Sequence, residues 1–264
     1  MHANRSRNLH AEEPGVRVLV VDVGGTHVKV AGSWRRTPVK FDSGDTLTAA
    51  QMVKGVLALT EGWRYDVVTI GYPGPVRANR PLEEPHNLGG GWRRMNFERA
   101  FGKPVRVVND AAMQALGSYA GGRMLFLGLG TGLGSAIVDD GRLEPLELAH
   151  LPYRKGRSYE EYLGAQGLRE LGRRKWATHV AAITAMLRRA LLCDYVVLGG
   201  GNVSKLATLP PHARRGSNER AIEGGIRLWA SDTVPLAVPR AAAKRGAART
   251  RGSTRPSGRQ SPPV

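Results

Sequence analysis

The stretch VRVLVVDVGGTHVKVAGS, residues 16–33, decides the fold class. Val16–Val23 is a valine-rich apolar run of strand length, Gly24-Gly25 is a turn signal, and His27–Gly32 reads as a second strand. A P-loop or a dinucleotide fingerprint would need G-x-x-x-x-G-K-[ST] or G-x-G-x-x-G leading into a helix, and neither pattern is present. The same layout returns as GRMLFLGLGTGLGSAIVDD, residues 122–140, which places Thr26 and Thr131 105 residues apart. A unit repeated at this interval predicts two similar lobes, each offering a glycine-rich hairpin to a common cleft.

Glycines remove Cβ atoms, so backbone N–H groups can approach phosphate oxygens, and a threonine adds a hydroxyl donor. Gly24, Gly25 and Thr26 in the first turn, with Gly130, Thr131 and Gly132 in the second, are therefore the candidate phosphate-binding residues. Asp22, at the mouth of the first turn, could position a hydrated Mg2+, and Lys29 supplies a nearby positive charge. One such turn alone is more often an ordinary hairpin; two in register can clamp a phosphate chain.

Further along, strand patterns at Val67–Ile70, Val105–Val108, Arg123–Leu129, Ser135–Val138 and Tyr195–Leu198 alternate with helical ones at Thr46–Thr60, Ala111–Ala120 and about Lys175 to Leu192. That alternation indicates an α/β fold. The expected organisation is a leader (1–15), an N-terminal lobe (16–110), a C-terminal lobe (111–234) and a disordered basic tail (235–264). The chain has 264 residues and a net charge of +17, of which the tail carries seven basic residues and no acidic one. Val16 to Val234 holds 30 basic and 20 acidic residues, which favours an anionic partner. No apolar run is long enough to span a membrane, and the first fifteen residues lack an apolar signal core. The single cysteine, Cys193, excludes an internal disulfide, so a cytoplasmic protein is expected.

Asp22–Thr26, Gly71-Tyr72-Pro73-Gly74-Pro75-Val76, Asn109-Asp110, Gly128–Gly134 and Glu147-Leu148-Ala149-His150 together resemble the ROK family of sugar kinases. Leu198–Asn202 and Gly224–Trp229 bring the likeness nearest to the polyphosphate glucokinases, over about Arg17 to Trp229. The resemblance implies an actin-like (hexokinase-type) ATPase fold, with two lobes around a cleft. Asp110 stands where a strand hands over to a helix; by position it could be a general base or merely a helix N-cap. The resemblance implies the base. It likewise implies sugar-binding roles for Asn87, Asn109, Glu147, His150 and Glu160, and a nucleotide contact for Gly199, Gly200 and Gly201.

Two departures from the family stand out. Many members carry a zinc-binding cysteine cluster between this histidine and glutamate, whereas LPYRKGRSY occupies the interval here, so no zinc is expected. Ala149 replaces a usual glycine and would displace His150 if its backbone needed a positive φ. The implied reaction is phosphoryl transfer from polyphosphate and/or ATP, with Mg2+, to the 6-hydroxyl of glucose. Another hexose with ATP, or a non-catalytic sugar sensor, are the alternatives. The residues ahead of the first strand are too few for a helix-turn-helix module, which disfavours a repressor. Arg93, Arg94, Arg154, Lys155, Arg157, Arg173, Arg174 and Lys175 are candidates for a basic groove. A homodimer is implied by the resemblance, and the tail could make nonspecific nucleic-acid contacts.

Overall fold

A computed structural model describes residues 15–230. The expected basic tail lies outside the described residues, as does the leader apart from Gly15. The first sheet is built from β1 (Val18–Val23), β2 (His27–Gly32), β3 (Arg35–Asp42), then, after α1 (Ala49–Leu59), β4 (Val67–Tyr72). A short hairpin, β5 (Val76–Arg77) and β6 (Arg80–Pro81), and helix α2 (Phe97–Phe101) precede β7 (Val105–Asn109). Helix α3 (Asp110–Ser118) leads to the second sheet: β8 (Arg123–Leu129), β9 (Leu133–Asp139) and β10 (Arg142–Leu146). A hairpin of β11 (Pro152–Arg154) and β12 (Arg157–Ser158) follows, then α4 (Tyr159–Leu163) and α5 (Ala165–Ala190). β13 (Tyr195–Gly199), β14 (Ala213–Arg215) and α6 (Arg220–Arg227) complete the described chain.

The repeat seen in the sequence is a repeat of topology. The sheets run β3-β2-β1-β4-β7 and β10-β9-β8-β13-β14, the same order strand for strand. In each, the first two pairings are antiparallel and the last two parallel. β1 is apolar along almost its whole length because helices cover both faces of its sheet, so alternation would expose nothing useful. One apolar cluster joins the first sheet to α1 and α2, another joins the second sheet to α5, and a third fills the space between the sheets around α3 and α6.

The middle layer is unusually thin. A Cβ on Gly117 of α3 would lie 1.8 Å from the Arg220 carbonyl oxygen, and one on Gly224 of α6 would lie 1.8 Å from that of Met113. The two helices therefore meet backbone to backbone. α6 is tied to the first sheet in turn: buried Thr69 donates to the Gly225 carbonyl at 2.7 Å, and Trp229 Nε1 donates to Thr69 Oγ1 at 2.8 Å.

Several elements differ from the sequence expectation. The expected helix from about Lys175 to Leu192 is the part of α5 after Gly172 (φ 70°, ψ 161°), where the helical geometry breaks; the turns from Ala165 up to that break precede the expected start. β3 is an edge strand in which Arg35, Arg36, Thr37 and Pro38 are exposed and only Val39 and Phe41 alternate inward, too short a pattern to read. α6 is short and holds two glycines that only tertiary contacts explain, Gly224 against α3 and Gly225 against Val20 of β1.

Gly224→Ala should cost about 2–4 kcal/mol, because the added methyl forces two backbones apart. Thermal denaturation should show a melting temperature lower by roughly 5–15 °C. Gly90→Ala, where a Cβ would meet nothing within 4 Å, is the control and should shift it little. Equal melting of the two variants would overturn the backbone-contact account.

Candidate active site

Asp22 sits near the end of β1, paired in register with Lys29 on β2 and Gly71 on β4. Lys29 Nζ is 3.9 Å from Asp22 Oδ2. Burial pushes the Asp22 carboxyl above its ordinary range, against a smaller downward pull from Lys29. Beyond Asp22 the chain turns, with Gly24 N–H donating to the His27 carbonyl at 3.0 Å. Ser43 holds this turn from outside: its hydroxyl donates to Gly24 O at 2.6 Å and its N–H to Thr26 O at 3.0 Å. The carbonyls are thereby occupied, whereas the amides of Gly25 and Thr26 have no hydrogen-bond partner among the described residues. Ser43 is a positioning residue that sequence reasoning missed, since it follows the unreadable edge strand.

The second turn is held in the same manner by different groups. Gly130 N–H donates to Gly132 O at 3.1 Å, Ala165 N–H to Thr131 O at 3.1 Å, and Asn202 Nδ2 to Gly130 O at 2.8 Å. The amides of Thr131 and Gly132 are likewise unpartnered among the described residues. Two sets of backbone donors, one per sheet, are thus free to meet oxyanions. Gly200 (φ 81°) packs here too, since a Cβ on it would stand 2.5 Å from the Leu129 carbonyl. Gly199 is required by the Phe126 ring, 2.5 Å from its missing Cβ, while Gly201 faces open space. Of the three, only Gly201 is thus free of a packing reason for being glycine.

Asp110 occupies the first position of α3, and Asn109 is the N-cap. Asn109 Oδ1 accepts from Ala112 N–H at 3.1 Å, and its Nδ2 donates to Gly74 O at 3.0 Å. The capping explanation for Asp110 therefore falls away, while Asn109 keeps only part of its hydrogen-bonding capacity for a ligand. Asp110 Oδ1 accepts from Ala111 N–H at 2.7 Å. Its carboxyl is pushed up to about 7, chiefly by burial, then by the Asp22 charge; backbone amides oppose this, and Glu147 adds to it.

Glu147 is itself pushed upward, by burial first, with Glu83 and Glu160 adding to the rise and His150 opposing it. Four groups thus face one space. Glu160 is anchored to the second turn: its Oε2 accepts from Leu133 N–H at 3.0 Å and lies 2.4 Å from where a Gly132 Cβ would be. Glu83, absent from the sequence-derived set, is held through its carbonyl, which accepts from Tyr72 Oη at 2.6 Å. Its only sequence signal is proximity to Asn87, which lies beside Gly25 at 3.9 Å between Asn87 Cβ and the position of a Gly25 Cβ.

Ala149 lies within a 3-10 turn, Leu148–His150, and is buried in the second lobe's core; it is not among the residues with positive φ. Its methyl packs inward, and the departure from glycine does not displace His150. The stretch that many relatives fill with a cysteine cluster is here the β11–β12 hairpin. Tyr153 from this hairpin meets Tyr159, Tyr162 and His179, with ring centroids 5.0–5.7 Å apart, and this aromatic cluster holds the hairpin to α4 and α5.

The candidate basic residues do not form one groove. Arg157 pairs with Glu161 at 3.4 Å and Glu170 at 2.9 Å, and Arg173 donates to the Lys205 carbonyl. Arg154 lies over the Tyr153 ring, and Lys155, Arg174 and Lys175 are exposed. Arg93 and Arg94 belong to a separate channel beside β7. Among the described residues, no group of three or more His, Cys, Asp or Glu is placed to hold a metal ion, and no helix is long and apolar enough to cross a membrane.

No family model matches the chain. A polyphosphate glucokinase of Mycobacterium tuberculosis is 26% identical over 208 residues, covering 71% of this chain and 74% of that protein. Among solved structures, the inorganic polyphosphate/ATP-glucomannokinase of Arthrobacter sp. strain KM superposes with a TM-score of 0.67 at 21% identity, covering 80% of this chain and 96% of the other. The ROK hexokinase of Thermus thermophilus gives 0.62 at 19% identity, covering 80% and 97%. A ROK family glucokinase from Streptomyces griseus, solved with glucose and AMPPNP, gives 0.62 at 18% identity, covering 79% and 97%. With its duplicated sheets, paired glycine turns and two-lobed actin-like α/β architecture, the chain shares the fold of the solved ROK sugar kinases and is similar in sequence to the polyphosphate glucokinase of Mycobacterium tuberculosis.

Proposed function

We propose that this protein is a hexose kinase that transfers a phosphoryl group from polyphosphate or ATP to the 6-hydroxyl of glucose. The observation that carries this reading is Asp110, a buried carboxyl poised near neutrality at a helix start, between Asp22 and Glu147. A base is most useful when its pKa lies near the working pH, because it is then both ionised and basic. Asn87, Glu147, His150 and Glu160 would hold the sugar hydroxyls, and Glu83 adds a further acceptor. Asp110 takes the proton as the hydroxyl oxygen bonds to phosphorus and the donor's bridging P–O bond breaks. The donor leaves as a chain one phosphate shorter, or as ADP. Amides of Gly25, Thr26, Thr131 and Gly132, with Lys29, would bear the phosphate charge.

Mg2+ fits a site with one buried carboxylate, because it keeps several waters and takes phosphate oxygens for the rest; when bound it would neutralise donor charge. Asp22 would hold it through water. Closure of the lobes would keep water from competing as acceptor.

A coupled assay of glucose 6-phosphate, with ATP and polyphosphate side by side, tests the assignment; no product from either donor with any of several hexoses would sink it. Asp110→Asn should lower turnover about 10²–10⁴-fold while leaving hexose affinity near normal. In the wild type, kcat/KM should fall as pH drops through about 7, because protonation removes the base.

Stability supplies an independent check. The Asp110 pKa is higher folded than unfolded, so between its unfolded value and about 7 the native state binds more protons. Its contribution therefore grows more unfavourable as pH rises through that window. Asp110→Asn should raise stability at pH 8 by an amount on the order of 1–4 kcal/mol, with little gain below pH 4. Urea unfolding at the two pH values measures it, and a gain of equal size at both would contradict the burial account.

A further inference from the structure

Two adjoining cavities, of about 700 and 820 Å3, run beside β7 and between the β5–β6 hairpin and the segment around Gly90–Arg94. Arg80, Arg93 and Arg94 line both cavities, which joins them into one channel, and Arg77 lines the second; the lining of the first is mostly apolar, with Val105, Val107, Leu116 and Leu143 beside the arginines. All four arginines are exposed, and none has an ion pair or a side-chain hydrogen bond among the described residues. Two carboxylates also line the channel. Glu98 belongs to the first cavity, while Glu84 in the second is engaged by the amides of Trp92 at 2.9 Å and Arg93 at 3.3 Å. Arg106 is committed elsewhere: it donates to the Leu228 carbonyl and lies 4.2 Å over the Trp229 ring.

The hairpin presenting two of these arginines is braced in a costly shape. Ala78 (φ 48°) and Asn79 (φ 65°) are both left-handed, a conformation worth roughly 1–2 kcal/mol of strain for an alanine. Asn79 offsets this by docking on β7: its Nδ2 donates to Val105 O at 2.8 Å, and its Oδ1 accepts from Val107 N–H at 2.6 Å. Arg77 and Arg80 thus stand on a fixed turn, opposite Arg93 and Arg94 on a second segment. Unpaired guanidinium groups on two walls suit oxyanions. Four of them spread along a channel suit a chain of phosphates better than a single one. Single-stranded nucleic acid would also want exposed aromatic rings for its bases, and of the two aromatic side chains in the lining Phe97 is buried and Trp229 is covered on a face by Arg106.

We propose that this arginine channel anchors a chain of condensed phosphate, gripping a stretch of polyphosphate away from its reacting end. Along the chain, Arg93 comes six residues after Asn87, which lies at the first glycine turn. The identity of the chain as phosphoryl donor rests on the kinase reading; the anchoring itself does not.

The test uses the full-length protein carrying Arg77→Ala and Arg80→Ala together. Fluorescence anisotropy with end-labelled long-chain polyphosphate, over a series of salt concentrations, should show about tenfold weaker binding and a salt slope shallower by about one to two. The paired lysine substitutions should restore most of the affinity. In the kinase assay, KM for long chains should rise about tenfold, while KM and kcat with tripolyphosphate and the hexose KM stay unchanged. Unchanged affinity and slope would overturn the proposal, as would an equal loss for short and long chains. Loss of single-stranded RNA binding with polyphosphate binding intact would overturn it in favour of a nucleic-acid surface. Should the double variant melt well below the wild type, Arg77→Ala alone reads the same slope with about half the change. If polyphosphate binding depends on the arginines yet no sugar phosphate forms, the anchor stands and the donor reading falls.

Discussion

The contact between α3 and α6, made without side chains, governs where everything else can stand. Gly117 and Gly224 let two helix backbones touch, and Gly225 brings α6 so near β1 that a Cβ would come within 2.5 Å of Val20. α6 belongs to the far end of the described chain but hangs on the first sheet through Thr69. α3 packs on the second sheet, where a Cβ on Gly134 would stand 2.4 Å from Ala111. The separation of the sheets is therefore set by backbone dimensions, which do not relax as side chains do. Asp110 opens α3 and Asp22 nearly closes β1, so the spacing of the two carboxyls follows from that same glycine pair.

Such rigidity lets the protein hold acids together that would otherwise spread apart. Asp22, Asp110, Glu83, Glu147 and Glu160 converge on one region, where Lys29 is the lone side-chain cation paired with Asp22. In a chain with a net charge of +17, five of the 22 acidic residues thus gather at the cleft. For Asp22, Asp110 and Glu147, burial favours the protonated form, and neighbouring carboxylates add to the rise at Asp110 and Glu147. Hydroxyl donors, or a cation, oppose that rise.

The parts of this arrangement readable in the sequence are those with local signals. β1, β2 and their repeat show as apolar runs around glycine turns, and Asp110 shows because a strand and a helix meet at it. Ser43 and Glu83 show nothing comparable: each acts through contacts with residues distant in the chain, Gly24 and Glu147. β3 escapes notice because only Val39 and Phe41, near its end, turn inward, and the turns of α5 before Gly172 escape because that residue breaks them from the longer helix. Charges are least legible of all. Arg157 and Arg94 look alike in a sequence, yet one is neutralised by two glutamates and the other is not.

Asn79 has a consequence beyond the arginines it helps to present. β7 borders the first sheet, and a border strand exposes a row of amides and carbonyls on which a foreign strand can grow. The Asn79 amide fills the slot at Val105 and Val107 in the way a neighbouring strand would, with one donor and one acceptor. At the opposite border, β3 presents Arg35, Arg36 and Pro38. The sheet is thereby sealed at both margins against templated growth: at one by a side chain that imitates backbone, at the other by charge and a residue that cannot donate. A second copy of this chain would have to meet the first sheet through side-chain packing rather than by extending its ladder.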